Sequence, residues 1–404
     1  MNYPIATLLP GRDTPVRAGH PWIFSKAIAK EPKPSPANGE LVLVQSAKGD
    51  AIGLGTWGAG ASIRIRMLTT DSKAVIDTDW FIEKLRAIDT WKKTHLPADT
   101  DGYRVVYAES DGIPGLIVDR YADVIVMQIH TAGMDRLRTE ILQALQEVFE
   151  PRAIVERSDI ESRLRDGLQM IEPIVRHGEI DKPVAFKEHG LTFLADVLGG
   201  QKTGFFLDQR EARHIVGTLS KDKHVLNLFG YTGGFSVHAA KGGASFVTTV
   251  DLSESALELA QQNLKANGFD PEDESQFLLL EADVMDLIRE RELAGAPYDL
   301  IVCDPPAFAK TGTQSENALE AYTKLNMECL MRLGQGGILV TSSCSGRVTP
   351  DEFKSMLRIA AGRAGRDVRL IAELGHDIDH AERIAFPEGR YLKTLVVEVT
   401  NIIK

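Results

Sequence analysis

The sequence predicts an α/β protein: a mostly parallel seven-stranded sheet in its C-terminal half, after a β-rich N-terminal module and a small α+β middle region. Three observations carry that prediction. From about residue 197, apolar runs of strand length alternate with stretches of helical periodicity, the pattern of a parallel sheet covered on both faces. The first 70 residues instead hold short apolar runs broken by Gly, Asp and Asn turn signals. The chain's 404 residues exceed one ordinary core, at roughly 100–200 residues per domain. The expected boundaries are 1–70, 71–190 and 191–404.

In the N-terminal module, strands are expected at 41–45, 51–56 and 63–68. From Ser62 to Met67 the residues alternate, with Arg64 and Arg66 on one face and Ile63, Ile65 and Met67 on the other. That reads as a strand with one wet, basic face. A helix is expected over 72–96, where Phe81, Leu85, Ile88 and Trp91 recur at helical spacing. Strands follow at 103–108, 115–119 and 124–130. An amphipathic helix spans about 134–149, with Leu137, Ile141, Leu145 and Val148 inward. A strand at 153–156 and a hairpin at 184–196, turning at His189-Gly190, complete the middle region.

The C-terminal strands are expected at 225–229, 246–251, 276–281, 298–304, 337–342, 368–374 and 392–399. The helices between them are expected at about 208–219, 235–241, 254–267, 284–293, 316–333 and 350–364. Ser253 can cap the helix at 254–267 and Gly268 can end it.

Composition narrows the function classes. Apolar residues make up 43% and charged residues 25%, ordinary values for a globular protein. No run of about 20 apolar residues exists to span a membrane, and residues 1–17 lack the pattern of a secretory signal. The three cysteines, Cys303, Cys329 and Cys344, are odd in number and widely spaced. This argues against a disulfide framework or a zinc cluster and fits a reducing cytoplasm. The net charge of −11 argues against indiscriminate nucleic-acid binding, yet residues 1–70 hold eight Lys/Arg against four acids. A basic module on an acidic body can dock on phosphate without coating the whole surface.

Residues 225–235 read VLNLFGYTGGF, a buried strand and a glycine-rich turn into a helix. Gly230, Gly233 and Gly234 let backbone approach a ligand, at the strand end where open α/β sheets bind ligands. The dinucleotide fingerprint is absent, so a ligand without a pyrophosphate is expected. Asp251, about 20 residues on, can bond ribose hydroxyls. Asp283, past the third strand, is placed to meet an adenine amino group, or to cap a helix. Residues 299–308, DLIVCDPPAF, carry Asp304 at a strand tip with two prolines fixing the backbone beyond it. Its carboxylate can hold a base edge.

Residues 336–346, GGILVTSSCSG, place Cys344 past the fifth strand, on the same rim. Cysteine suits a reaction in which a sulfur adds to C6 of a cytosine so that C5 can take a methyl group, because some thiolate exists at pH 7. Cys329 reads as a core residue. Cys303 is a rival nucleophile, expected to point away from the side of Asp304.

The motifs GRD (11–13), GHPWIF (19–24), ESDGIPGLIVD (109–119), QKTGFFLDQR (201–210), NLFGYTGG (227–234), DPP (304–306), SCS (343–345) and PEGRYLK (387–393) span nearly the whole chain. With them the chain resembles the bacterial large-subunit (23S) ribosomal RNA cytosine-C5 methyltransferases that carry a PUA domain. That resemblance implies an RNA-binding PUA module, a middle domain that helps enclose RNA, and a class I methyltransferase domain using S-adenosyl-L-methionine. It implies that Gln201, Lys202, Phe205 and Asp208 lie beside the cofactor. Phe229, Tyr231, Gly233, Asp251, Ser253, Asp283 and Asp304 are implied to line it, with Cys344 as nucleophile. The implied partner is ribosomal RNA, free or in a partly assembled large subunit, with phosphate contacts from Arg12, Arg17, Lys26, Arg64 or Arg66. A homodimer is compatible with the sequence. Relatives usually read Asp-His-Pro where this chain has Asp379, His380 and Ala381, in a loop expected to face substrate. The acids and histidines from His376 to His380 read as a solvated loop, with no metal expected. Two rival readings are methylation of a guanine nitrogen (N7 or N2) without a cysteine, and an RNA-binding or assembly factor without activity.

Overall fold

The computed structural model describes residues 3–289, 298–308 and 315–403. The chain divides into two compact units. One comprises Met1–Lys187, Ala195–Asp208 and Ile378–Gly389, the other Glu188–Leu194, Gln209–Asp377 and Arg390–Lys404. Among the described residues no helix is long and apolar enough to cross a membrane.

The first unit holds two sheets. Six strands (Ile5–Leu8, Trp22–Phe24, Ile28–Lys30, Leu41–Gln45, Ala51–Trp57 and Ile63–Thr69) form the N-terminal sheet. Its core is built from Leu8, Val42, Val44, Trp57 and Ile65. The basic face expected on Ile63–Thr69 is not wet, which corrects that reading. Arg66 pairs at 2.9 Å with Asp166 and is only 13% exposed. Arg64 donates to the Gly58 carbonyl and lies over the Trp57 ring.

A second sheet contains Gly102–Tyr107, Leu116–Tyr121, Val124–Ile129, Ala153–Glu156 and Ile174–His177. Helices Thr78–His95 and Arg138–Phe149 bury Phe81, Leu85, Ile141 and Leu145 in its core. The first starts later than its periodicity predicts, because the Asp77 carboxylate accepts from Trp80 N and caps it there. Trp91 is exposed and stacks on His95, while Asp89 and Lys92 are the buried members of that turn. The expected helix at 134–149 is two helices, Ala132–Arg136 and Arg138–Phe149, broken at Leu137.

The loop through Asp379 and His380 also differs from expectation. Both side chains are buried, so neither faces solvent. Asp379 accepts from Arg104 N at 2.8 Å, and its carbonyl takes the Lys92 ammonium, which also pairs with Asp111. Burying a lysine in this way is tolerable because its donors meet a carboxylate and a carbonyl.

At the hairpin of Val184–Glu188 and Leu191–Ala195 the chain passes between units. His189 and Gly190 both hold left-handed φ, as a two-residue turn requires.

The second unit is built on a seven-stranded sheet. Its order is Phe277–Glu281, Phe246–Asp251, His224–Leu228, Tyr298–Cys303, Leu333–Ser343, Lys393–Ile402 and Arg366–Leu374. The first five are parallel to one another, and Lys393–Ile402 runs antiparallel to both neighbours. Helices follow the strands as expected, including Ser315–Met331 and Pro350–Arg363. Of the helix expected at 284–293, the described part is Val284–Arg289, and the remainder lies outside the described residues.

Glu188 anchors a buried charge cluster in this unit. It takes Arg213 at 2.7 and 2.6 Å and His238 at 3.1 Å, with Arg210 at 3.9 Å. Burial opposes its ionisation, yet the Arg213 guanidinium and His238 hold its carboxyl well below the usual carboxylate range. Breaking such a pair strands a buried cation. Glu188→Gln should therefore lower stability by about 3–5 kcal/mol in urea unfolding. Because the folded carboxyl titrates low, its contribution is present above the ordinary glutamate range and lost as pH falls below it. The gap between wild type and variant should close in acid. A gap below about 1 kcal/mol at neutral pH would show that the cluster tolerates an unpaired Arg213.

Candidate active site

Parallel register sets the site. Leu228 pairs with Val250 on one side and Cys303 on the other, and Cys303 pairs with Thr341. These positions form one row across four strands, spaced roughly 4.8 Å apart. The loops that leave the row therefore share one edge. They carry Phe229–Gly234, Asp251–Ser253, Asp304–Pro306 and Cys344. The sheet's order reverses between His224–Leu228 and Tyr298–Cys303, the place where doubly wound sheets open a ligand crevice.

The turn after His224–Leu228 is strained. Phe229 and Tyr231 hold φ of 56° and 46°, and Gly233 holds 75°. The first two are conformations that side-chain-bearing residues seldom adopt. A Cβ at Gly233 would meet the Ala260 methyl at 2.9 Å, so the turn packs tightly on helix Glu254–Ala266. The Asp251 carboxylate holds the turn by accepting from Tyr231 N at 2.8 Å and from Ser253 N at 3.0 Å. Ser253 in turn caps the following helix through Ala256 N. Asp283 is exposed and accepts from Met285 N and Asp286 N, so it caps Val284–Arg289.

Asp304 is half-buried and accepts from Gln209 Nε2 at 2.8 Å. Tyr322 sits within electrostatic reach of both Asp304 and Cys344. Its hydroxyl takes a bond from Ser343, and burial pushes its phenol up to about 12, so it stays neutral.

Burial sorts the cysteines. Cys303 and Cys329 are fully buried in the core, whereas Cys344 is half-buried at the edge. The hydrogen bond its thiol gives Cys329 and its burial push Cys303 far up, which disfavours it as a nucleophile. Beside Cys344 lies Lys393, whose ammonium donates to the carbonyls of Ser345 and Val348. Burial lowers Lys393 to about 8, and its charge and that of Cys344 favour one another.

The matching family models are an S-adenosylmethionine-dependent methyltransferase over residues 176–363 and a PUA-like domain over residues 6–70. Proteins named ribosomal RNA large subunit methyltransferase I are similar along nearly the full length. That of Aeromonas salmonicida is 40% identical over 392 residues, covering 96% of this chain and 98% of the relative. That of Klebsiella pneumoniae is 38% identical over 400 residues, covering 98% of each. The chain belongs to the ribosomal RNA large subunit methyltransferase I family. Its fold is shared by a SAM-dependent methyltransferase from Streptococcus mutans, with TM-score 0.80 and 22% identity over 98% of this chain and all of the other. A methyltransferase solved with S-adenosylhomocysteine gives TM-score 0.81 at 22% identity over 99% of this chain and all of the other.

Members of this methyltransferase family use S-adenosyl-L-methionine. The second unit has a donor set that fits it. Each Asp251 oxygen receives one backbone bond and keeps a lone pair for a ribose hydroxyl. Leu252, 66% exposed, adds an apolar surface beside it.

Four of the expected cofactor residues lie in the first unit. Gln201 and Lys202 are exposed, and Lys202 pairs with the buried Asp208 at 3.0 Å. Phe205 is buried with its ring against Phe186. Of the expected RNA contacts, Arg12 and Lys26 are exposed, and Arg17 is exposed but paired with Asp13.

The sequence reading missed Gln209, Tyr322 and Lys393 as site residues. Lys393 closes a recognised motif, PEGRYLK, but only strand pairing shows what it faces. A cation beside a thiol favours the thiolate. In Lys393→Met, alkylation of Cys344 by iodoacetamide at pH 7 should slow by about tenfold. With the other two cysteines buried, the reagent reports on Cys344. An unchanged rate would show that Lys393 does not act on the thiol.

Proposed function

We propose that this chain methylates C5 of a cytosine in large-subunit ribosomal RNA, with Cys344 as the nucleophile. The observation that carries this reading is a half-buried sulfur at the exit of Leu333–Ser343, on the edge that bears Asp304, with an ammonium beside it.

The target base leaves its stack, at a cost of a few kcal/mol that is smaller in a loop or single strand. Asp304 holds the N3/N4 edge of the cytosine, and Gln209 positions that carboxylate. The Cys344 thiolate adds to C6, forming a C–S bond and moving electron density to C5. S-adenosyl-L-methionine, when bound, would supply the methyl group to C5 and leave as S-adenosylhomocysteine. A base then removes the C5 proton, the C–S bond breaks, and the ring recovers its double bond as the thiolate is released. Lys393 lowers the cost of the thiolate at both ends of this cycle. The Asp251 carboxylate holds the donor's ribose and the strained turn together.

Replacing Cys344 with Ala should abolish methyl transfer to 23S ribosomal RNA while leaving S-adenosylmethionine binding by titration calorimetry unchanged. Mass spectrometry of the wild-type product should find 5-methylcytosine. Near-normal turnover by Cys344→Ala would instead mean a guanine-nitrogen target, and a wild type that binds no methyl donor would leave only a binding role. Asp251→Ala should weaken methyl-donor binding by about 10- to 100-fold, the worth of charged hydrogen bonds lost from ribose and turn. Unchanged affinity would remove Asp251 from the donor site.

A further inference from the structure

The first unit contains a cavity of about 440 Å³. Lys84, on helix Thr78–His95, and Arg383 both line it. Two cations sharing one cavity repel. Burial lowers the Lys84 amine, and the Arg383 charge lowers it further.

The Asp111 charge offsets the Arg383 repulsion only in part. Asp111 also lines the cavity, but one oxygen of its carboxylate already accepts from the Lys92 ammonium and from Tyr107 N, both at 2.6 Å. Neither Lys84 nor Arg383 forms an ion pair among the described residues. Lys84 rests over the Trp80 ring at 5.3 Å, and Arg383 reaches only the Glu109 carbonyl, at 3.4 Å.

Two of the lining residues beside the cations are glycines. A Cβ at Gly112 would stand 3.4 Å from Lys84 Nζ, and one at Gly19 would stand 3.5 Å from an Arg383 nitrogen. Both glycines hold left-handed φ, +75° and +98°, which side-chain-bearing residues rarely take. A side chain at either position would come into contact with a cation, and at Gly19 also with the Ala385 methyl at 3.2 Å. A planar guanidinium fork and a point-charge ammonium in one cavity suit a tetrahedral oxyanion, which accepts from both.

We propose that this cavity is a phosphate site that binds a backbone phosphodiester of the RNA substrate through Lys84 and Arg383. The proposal rests on the reading of RNA as substrate, and a phosphodiester is the anion that such a substrate presents in greatest number. The site positions the RNA and does not read its sequence.

The test is the double variant Lys84→Gln/Arg383→Gln in the full chain, with filter binding of a 23S ribosomal RNA transcript across a KCl series. RNA affinity should fall by about tenfold or more, and the slope of log K against log[KCl] should flatten by roughly 0.7–0.9 for each phosphate that is no longer neutralised. Methyl-donor affinity should not change. The melting temperature should hold or rise, because the substitutions relieve repulsion and break no ion pair. If wild type binds the RNA and the double variant matches it in affinity and slope, this proposal alone is overturned. If wild type binds no RNA, the proposal falls together with the RNA reading. If inorganic phosphate binds wild type but not the double variant while RNA binding is unaltered, the cavity serves a free anion and the RNA assignment is overturned.

Discussion

Parallel pairing is the constraint from which the candidate site follows. In an antiparallel sheet, successive strand ends fall on opposite edges. Here five strands run the same way, so the turns after Leu228, Asp251, Cys303 and Ser343 all leave from one edge. Residues more than 100 positions apart in sequence are thereby brought to one edge by backbone pairing. The strand interiors are buried on both faces, and a one-residue slip would exchange Leu226, Leu228 and Ile301 with neighbours such as Val225, Leu300 and Val302 that pack on the other face.

Position alone does not make the glycine-rich turn a site. Its left-handed residues, Phe229 and Tyr231, each carry strain on the order of 1–3 kcal/mol. The Asp251 carboxylate offsets this by bonding Tyr231 N, and Gly230 N adds a bond to the Val250 carbonyl. The acid is therefore both a fastener and a ligand-facing group. Below the turn, Asn227, Ser236 and Thr249 hydrogen-bond inside the protein, fixing strand to helix. The strain persists because the surroundings over-determine it.

Much of this was legible in the sequence because the carriers are local. Turn residues, strand-tip acids and the apolar period reveal themselves within about ten positions, so the sheet, the glycine turn, Asp251, Asp304 and Cys344 were all marked out by residue number. What escaped was set by pairing across the chain. Arg66 reads as a solvated cation until Asp166 is found against it. Asp379 and His380 read as a polar loop until Arg104 and Lys92 are seen to satisfy the first of them. In each case a polar residue is buried with a distant partner, and no local pattern encodes a partner.

Lys393 shows how the same sheet yields what periodicity cannot. The strand Lys393–Ile402 is the one that runs against its neighbours. Its first residue consequently lies at the edge where the parallel strands end, and Lys393 pairs with Ser343, one residue before Cys344. The Ser342 and Thr394 hydroxyls bond at 2.8 Å and pin that register. Two carbonyls, Ser345 and Val348, then hold the ammonium in place. Burial costs the amine part of its basicity, but at about 8 it keeps its proton at neutral pH. An exposed lysine would hold its charge more firmly, yet water would screen it from the sulfur. A buried cation held by carbonyls gives up basicity in exchange for a stronger field, and the reversed strand puts that field beside the only cysteine that is not sealed in the core.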